Sequence, residues 1–229
     1  LLSICGDNEA LRDIFSVAAK SKKKRFIILS SCGWGSIYQR MHHIALSLAK
    51  YGNEVIYITP ATTVNINTNN IAVSEVVKRS INTLMIVDGV KIFIPIIAVH
   101  NQKQIYNNYV DLIQHILDSP TDSDKTVIVT YLPYQGQVVS SLKGNFMHIY
   151  ECVDDHSDLD YAFWGNKKDV LWEQELMDCA DAITTTSTSL FLQRRAIEGR
   201  RNVYLSRNAV CESDFIVTTE KEIPQDLKN

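Results

Sequence analysis

Residues 32–43, Cys-Gly-Trp-Gly-Ser-Ile-Tyr-Gln-Arg-Met-His-His, gather glycines, an indole, a guanidinium and two imidazoles in one short run. Gly33 and Gly35 would let a ligand approach the backbone. A helix opening directly after them would favour negative charge at its start. Ser36 is placed to cap that helix, with Gln39 three residues on completing a capping box. Trp34 at an exposed strand-to-helix turn is costly unless it covers something, and an indole face stacks on sugar rings or apolar chains. Gln39 and His43 are four apart and share the helix face turned toward its start. Arg40 and His43 are candidate ligand contacts. His42 falls on the opposite side and reads as a packing residue. Adjacent histidines lack the i, i+4 spacing of a metal pair.

The second chemical stretch is Tyr150-Glu-Cys-Val-Asp-Asp-His156, the start of an acidic region. Residues 151–181 hold ten acids and two bases. A carboxylate beyond a strand end can take a proton from an attacking hydroxyl, which makes Asp154 and Asp155 the candidates, with His156 third. Asp154, Asp155 and Asp158 match no calcium loop, and no metal is expected. The five cysteines, Cys5, Cys32, Cys152, Cys179 and Cys211, are odd in number, widely spaced and without a C-x-x-C pair. They read as reduced thiols of a cytosolic protein rather than as disulfides or a zinc site.

Hydrophobic patterning supplies the frame for both stretches. Phe26–Ser30 is a continuous apolar run, as in a strand buried on both faces of a parallel sheet. Ile37, Met41, Ile44 and Leu48 recur at helical spacing up to Tyr51, where Gly52 terminates the helix. A second strand, 54–59, ends at Pro60, and Thr- and Asn-rich 61–70 read as a loop. Asp88-Gly89 sits between apolar runs in 84–94, a tight-turn signal. A helix over 102–117, a strand over 126–130, a short helix near 137–142 and a strand over 146–150 follow. The acidic region is then a loop over 151–160. A helix over 167–180, a strand over 182–185, a helix capped by Ser187 or Thr188 and a strand over 202–205 complete the series. Strands alternate with helices, which predicts an α/β, doubly wound, mostly parallel sheet with helices on both faces. Ligands bind such sheets beyond the carboxyl ends of the strands, where both chemical stretches fall.

A dinucleotide fingerprint would need a third glycine where Tyr38 stands and an acid where Thr59 ends the second strand, and no G-x-x-x-x-G-K occurs. The chain has 229 residues, 23 basic and 26 acidic, a net charge of −3 and 45% hydrophobic residues. This near balance argues against nucleic acid as a partner. A mean hydropathy of −0.07, with no long apolar run, excludes a membrane-spanning helix. Five of the six residues Lys20–Arg25 are basic, after an amphipathic pattern over Asp7–Lys20 bearing Leu11, Ile14, Phe15 and Ala18. The first residue is Leu, and the chain reads as part of a longer protein.

Residues 32–43, with the helix running into Lys50-Tyr-Gly-Asn-Glu-Val-Ile-Tyr57, resemble the opening of family 4-like glycosyltransferases of the GT-B fold, W-x-x-x-x-Q-R-P-H-H followed by G-H-x-V. Tyr150–Asp155 resembles their Y-D-C-V-D-D strand end. Glu173–Ser187 resembles E-x-x-L-x-x-A-D-x-V-x-x-T-S, and Asn202–Val210 resembles N-V-x-x-x-P-N-G-V. Met41 replaces the usual proline and Ala209 the usual glycine. The resemblance spans residues 25–215 and implies a Rossmann-like acceptor-side domain. Residues 1–24 would be a helical, basic lead-in, and 216–229 a linker to a C-terminal nucleotide-sugar domain that this chain lacks. The implied reaction moves a sugar from a nucleoside-diphosphate donor, a substrate rather than a tightly bound cofactor, to a hydroxyl of a glycan or lipid-linked acceptor in cell-surface glycan synthesis. Gly33, Trp34, Gly35, Ser36, Gln39, Arg40 and His43 would line the substrate side. Asp154, Asp155 or His156 would act as base if the enzyme inverts, and would orient the acceptor if it retains. Lys20–Arg25 could lean on the inner face of the cell membrane. Two other classes remain open: a non-enzymatic carbohydrate- or nucleotide-binding module, and a dinucleotide-dependent sugar-modifying enzyme.

Overall fold

The structure, a computed structural model, describes residues 23–35, 37–65, 84–99, 102–156, 167–197 and 202–209. The expected lead-in helix over Asp7–Lys20, Ser36, Asp158 and the linker over 216–229 lie outside the described residues.

Strand β1 (Arg25–Leu29) is followed by helix α1 (Arg40–Lys50) and strand β2 (Glu54–Ile58). Next come β3 (Thr62–Asn65), β4 (Met85–Val87), β5 (Val90–Phe93) and β6 (Ile96–Val99). Helix α2 (Gln102–Asp118) leads to β7 (Thr126–Thr130), α3 (Gln135–Ser141) and β8 (Met147–Cys152). Helix α4 (Lys167–Cys179), β9 (Ala182–Thr185), α5 (Thr188–Ala196) and β10 (Val203–Leu205) complete the fold. Eight strands form one sheet in the order β10-β9-β8-β7-β1-β2-β5-β4, and β3 pairs with β6 in a separate parallel ribbon. Every neighbouring pair in the large sheet is parallel except β4 with β5. That hairpin turns on Asp88 (φ 47°) and Gly89 (φ 83°), the doubly left-handed turn that an Asp-Gly pair accommodates.

The expected α/β, doubly wound, mostly parallel architecture is present. On one face Met41 and Ala45 of α1 pack on Ile28, Tyr57, Val90, Ile92 and Val129. On the other, Tyr109 and Ile113 of α2 and Val138 and Val139 of α3 cover Ile27, Leu29, Ile56, Ile58 and Ile128. There too Leu176 and Met177 of α4 and Leu190 of α5 cover Tyr150, Ile183 and Val203. Helices α3 and α4 approach so closely that a Cβ on Gly136 would lie 2.8 Å from Leu176 Cα, so the glycine sets their separation.

Four local expectations are corrected. Helix α1 starts at Arg40, not at Ser36, because Gln39 is its extended N-cap residue (φ −110°, ψ 176°) and donates its backbone N–H to His42 Nδ1 at 2.9 Å. Residues 62–65 form a strand rather than a loop, since a β-branched run finds a parallel partner in β6. Strand β8 continues two residues past Tyr150, paired through Cys152 with Thr185, so Glu151 and Cys152 belong to the sheet and not to the acidic loop. Arg25 is not part of an exposed basic run. It is 1% exposed and donates to Glu54 (2.8 Å) and to the carbonyls of Ile116, Ser119 and Pro120. Burial raises the Glu54 carboxyl, but hydrogen bonds from Arg25, Lys91 and Thr121 outweigh that and leave it at about 2.

His148, buried on β8, has Nε2 2.9 Å from the Thr130 hydroxyl and Nδ1 3.2 Å from the Cys179 carbonyl. The carbonyl can only accept, so Nδ1 carries the proton and Nε2 accepts. Burial holds its pKa below the ordinary imidazole value. The folded state therefore binds fewer protons than the unfolded state below an unfolded pKa of about 6.5. Stability from this group is complete above that pH and falls beneath it, at up to about 1.4 kcal/mol per pH unit. Urea titrations at pH 7.5 and 5.5 should show that loss, and a His148→Gln variant should lose less over the same interval.

Candidate functional site at the carboxyl edge

The chain runs from β1 outward to β2 and β5, then returns to β7 on the other side of β1 and continues to β8, β9 and β10. The strand order reverses between β1 and β7, and in sheets of this kind ligands bind outside the carboxyl ends at such a switch point. Gln135, fully buried at the start of α3, ties the ends of β1 and β7 together there. Its Oε1 accepts the N–H groups of Tyr131 (2.7 Å) and Leu132 (3.0 Å), and its Nε2 donates to the Ser30 carbonyl (3.4 Å). Cys32, Trp34, Leu132 and Val153 pack on one cluster, so the segments following β1, β7 and β8 meet there.

The Ser30 hydroxyl donates to Tyr57 Oη (2.5 Å) and receives the Cys32 N–H (3.1 Å), which turns the chain sharply after β1. Trp34 is half-buried rather than free at the turn. Its ring meets Tyr57 edge-on at 4.9 Å and 86°, and His42 at 5.1 Å and 72°. The expectation of an exposed indole is corrected, because those two rings take up much of its surface. Gly33 and Gly35 are exposed, with nothing within 4 Å of a Cβ built on either, so the space beside the loop is open. Gln39 is exposed and His43 half-buried, with Tyr38 tilted against His43 at 6.0 Å.

Arg40 is saturated. Its Nε and Nη2 donate to Glu151 (2.6 and 3.3 Å), Nη2 also to Ser206 Oγ (2.8 Å), and Nη1 to the Arg207 carbonyl (3.1 Å) and Asn208 Oδ1 (3.2 Å). All five guanidinium N–H groups are used. Burial opposes its charge, but Glu151 outweighs burial and raises the Arg40 pKa. Glu151 is 6% exposed and also accepts the Thr184 hydroxyl. The arrangement ties the start of α1 to the ends of β8, β9 and β10.

The three residues of the acidic stretch occupy different surroundings. Asp154 is exposed. Asp155 is half-buried and accepts from Arg194 Nη2 at 2.9 Å. His156 is buried, and its Nε2 has no hydrogen-bond partner among the described residues. Arg194 also donates to both oxygens of buried Glu173 (3.0 and 3.1 Å), whose Oε1 accepts the Tyr150 hydroxyl (2.7 Å). Burial lifts the neighbouring Cys152 thiol to about 11, so it is no nucleophile at neutral pH. Tyr150, on the α4–α5 face, and Glu151, pointing toward α1, project to opposite sides of β8. The sheet therefore separates the Arg194 cluster from Arg40, with Asp154 at the edge beyond the strand.

Beside α1 the same face of β7–β9 carries no described helix. A groove of about 670 Å³ runs there between Ile44 and Leu48 of α1 and Phe26, Val129, Ile149 and Ala182 of the sheet, ending at Arg40 and Glu151. No group of three or more His, Cys, Asp or Glu side chains that could hold a metal occurs among the described residues. No described helix is long and apolar enough to cross a membrane. Glu151, Thr184, Ser206, Gln135 and Arg194 were not singled out in the sequence. The resemblance stretches Tyr150–Asp155, Glu173–Ser187 and Asn202–Val210 contain Glu151, Thr184 and Ser206 without marking them.

No protein-family model matches the chain, and no curated protein matches it in sequence. Among solved structures the chain is similar to the sucrose-phosphate synthase of Thermosynechococcus elongatus, with a TM-score of 0.52 and 13% identity over 81% of this chain. The fold is shared with a glycosyltransferase. The chain spans about half of that structure, 48% of its length. At this identity the likeness is one of architecture, a mostly parallel Rossmann-like sheet.

Proposed function

We propose that the chain is the acceptor-side domain of a family 4-like glycosyltransferase, which moves a sugar from a nucleoside-diphosphate donor to an acceptor hydroxyl in cell-surface glycan synthesis. The carrying observation is the shared fold, with the glycine loop and the acidic stretch both at the carboxyl edge beside the switch point. Open space beside Gly33 and Gly35 gives a substrate access to the backbone. The donor would sit on a following C-terminal domain of the whole protein. The bond from the sugar carbon to the diphosphate breaks, the bond to the acceptor oxygen forms, and the hydroxyl proton must leave. Asp154 is the carboxylate of the acidic stretch that stands exposed, whereas Asp155 is held by Arg194 and Glu151 by Arg40. In an inverting reaction Asp154 takes that proton. In a retaining one the leaving diphosphate takes it and Asp154 orients the acceptor. The protein would work in the cytoplasm at the membrane face, with residues 20–24 supplying the basic contact.

The whole protein, incubated with a panel of nucleoside-diphosphate sugars and lipid-linked or glycan acceptors, is expected to release nucleoside diphosphate with one of them. Release from none would end the reading. Asp154→Asn is expected to lower kcat by about 10²–10⁴-fold if Asp154 is the base. A change confined to acceptor KM marks the orienting role, and wild-type kcat and KM would remove Asp154 from the site.

A further inference from the structure

We propose that the imidazole of His42 is a clasp holding the two ends of the glycine loop together, and that a proton added to it opens the loop. The ring is fully buried, 0% exposed, on the first turn of α1. Its Nδ1 accepts the backbone N–H of Gln39 at 2.9 Å, and its Nε2 lies 3.1 Å from the Gly33 carbonyl. A backbone N–H only donates and a carbonyl only accepts, so the neutral ring carries its proton on Nε2. One side chain thus joins residue 33 to residue 39. Within the span Trp34 sits on Tyr57, while Gly33 and Gly35 are exposed with open space beside them and Ile37 is 78% exposed.

A second proton would go to Nδ1 and point straight at the Gln39 N–H, turning an accepted hydrogen bond into a donor–donor clash. The groups facing the ring offer no counter-charge. They are Tyr57 Oη from β2 at 3.2 Å, Cys32 Sγ from the segment after β1 at 4.0 Å, the rings of Trp34 and Tyr38, and the neighbouring His43 of α1. Tyr131, from the end of β7, stands behind Tyr57 and Cys32 and is likewise neutral. Burial, with His43 adding to it, holds the ring on the neutral side. Opening would release the Gln39 cap and let Trp34 leave its seat on Tyr57. The inference concerns the loop alone and stands whatever ligand the loop faces.

Amide hydrogen-exchange protection over Gly33–Gln39, corrected for intrinsic pH dependence, is the measurement. On lowering the pH from 7.5 to 5, wild-type protection there is expected to fall about tenfold for each pH unit separating the clasped from the free imidazole pKa. Protection of β7 reports the loss of global stability that His148 brings over the same interval, and the fall over the loop is read as the excess beyond it. His42→Asn, which keeps an acceptor near Nδ1 but does not titrate, is expected to protect the loop equally at both pH values. A pH-independent wild-type loop, or an Asn variant with the wild-type response, would overturn the clasp. Imidazole ¹⁵N spectra of the wild type at pH 7.5 give an independent reading, since a proton found on Nδ1 contradicts the geometry.

Discussion

Arg194→Met is expected to destabilise the chain by about 3–5 kcal/mol, the loss that follows when one partner of a buried ion pair is removed. Arg194 is 3% exposed and Glu173 1%. Without the guanidinium, Glu173 keeps only the Tyr150 hydroxyl and the weak Cys152 thiol as donors among the described residues, too little for a carboxylate out of water. For a domain of this size the midpoint of thermal unfolding should drop by roughly 6–20 °C. Pairing Arg194→Met with Glu173→Leu should recover much of the loss, because two apolar groups leave no charge stranded. A drop of less than about 2 °C in the single variant would mean that Glu173 takes up a proton at little expense. The variant carries a second consequence at the carboxyl edge. Asp155 loses its Arg194 hydrogen bond, so the segment after β8 should exchange amide hydrogens faster even where the domain remains folded.

Arg40→Lys is expected to cost about 2–3 kcal/mol despite keeping the charge. The guanidinium fork meets both Glu151 oxygens and still reaches Ser206, Asn208 and the Arg207 carbonyl. An ammonium has three donors radiating from one atom and cannot span acceptors on β8 and on the segment after β10 together. Urea titration reads the global loss. Hydrogen exchange over residues 203–209 reads the local one, which should exceed that over β1 and β7. Wild-type behaviour in both would mean that a point charge beside Glu151 is enough. If residues 206–209 lead to a second domain, the variant also loosens the direction in which the chain leaves the sheet. Under the proposed function, that should appear in the whole protein as weaker acceptor affinity without loss of the fold.

Element identities were largely legible in the sequence. The apolar run at Phe26–Ser30, the Asp88-Gly89 turn, the helical spacing from Met41 to Leu48 and the Ser187 cap each encode their structure within about ten residues, whereas Ile37 lies outside the helix and exposed. Ser187 Oγ does accept the Leu190 N–H at 3.2 Å. Two of the misread boundaries share one cause: Glu151 and Thr62 owe their conformations to partners on other segments, the β9 ladder and β6. Gln39 differs, because its partner is the His42 ring three residues on, an imidazole standing where a capping box usually has Glu or Gln.

From the order of its residues alone, this chain specified an alternating α/β sheet with its glycine loop and Asp154 beyond the strand ends. Periodicity and turn chemistry are local, and a reader of one segment needs no other. Tertiary structure alone decided which groups are free and which are held. Arg40 meets Glu151 across 111 positions, Gln135 bridges to Ser30 across 105, and Asp155 is bound by Arg194 39 residues on. Those pairings depend on β7 lying beside β1 and β8 beside β9, and strand order leaves no mark in local hydrophobic patterning. A guanidinium at the start of a helix looks the same in sequence whether it faces substrate or a buried carboxylate; the strand that comes to lie next to it makes the difference.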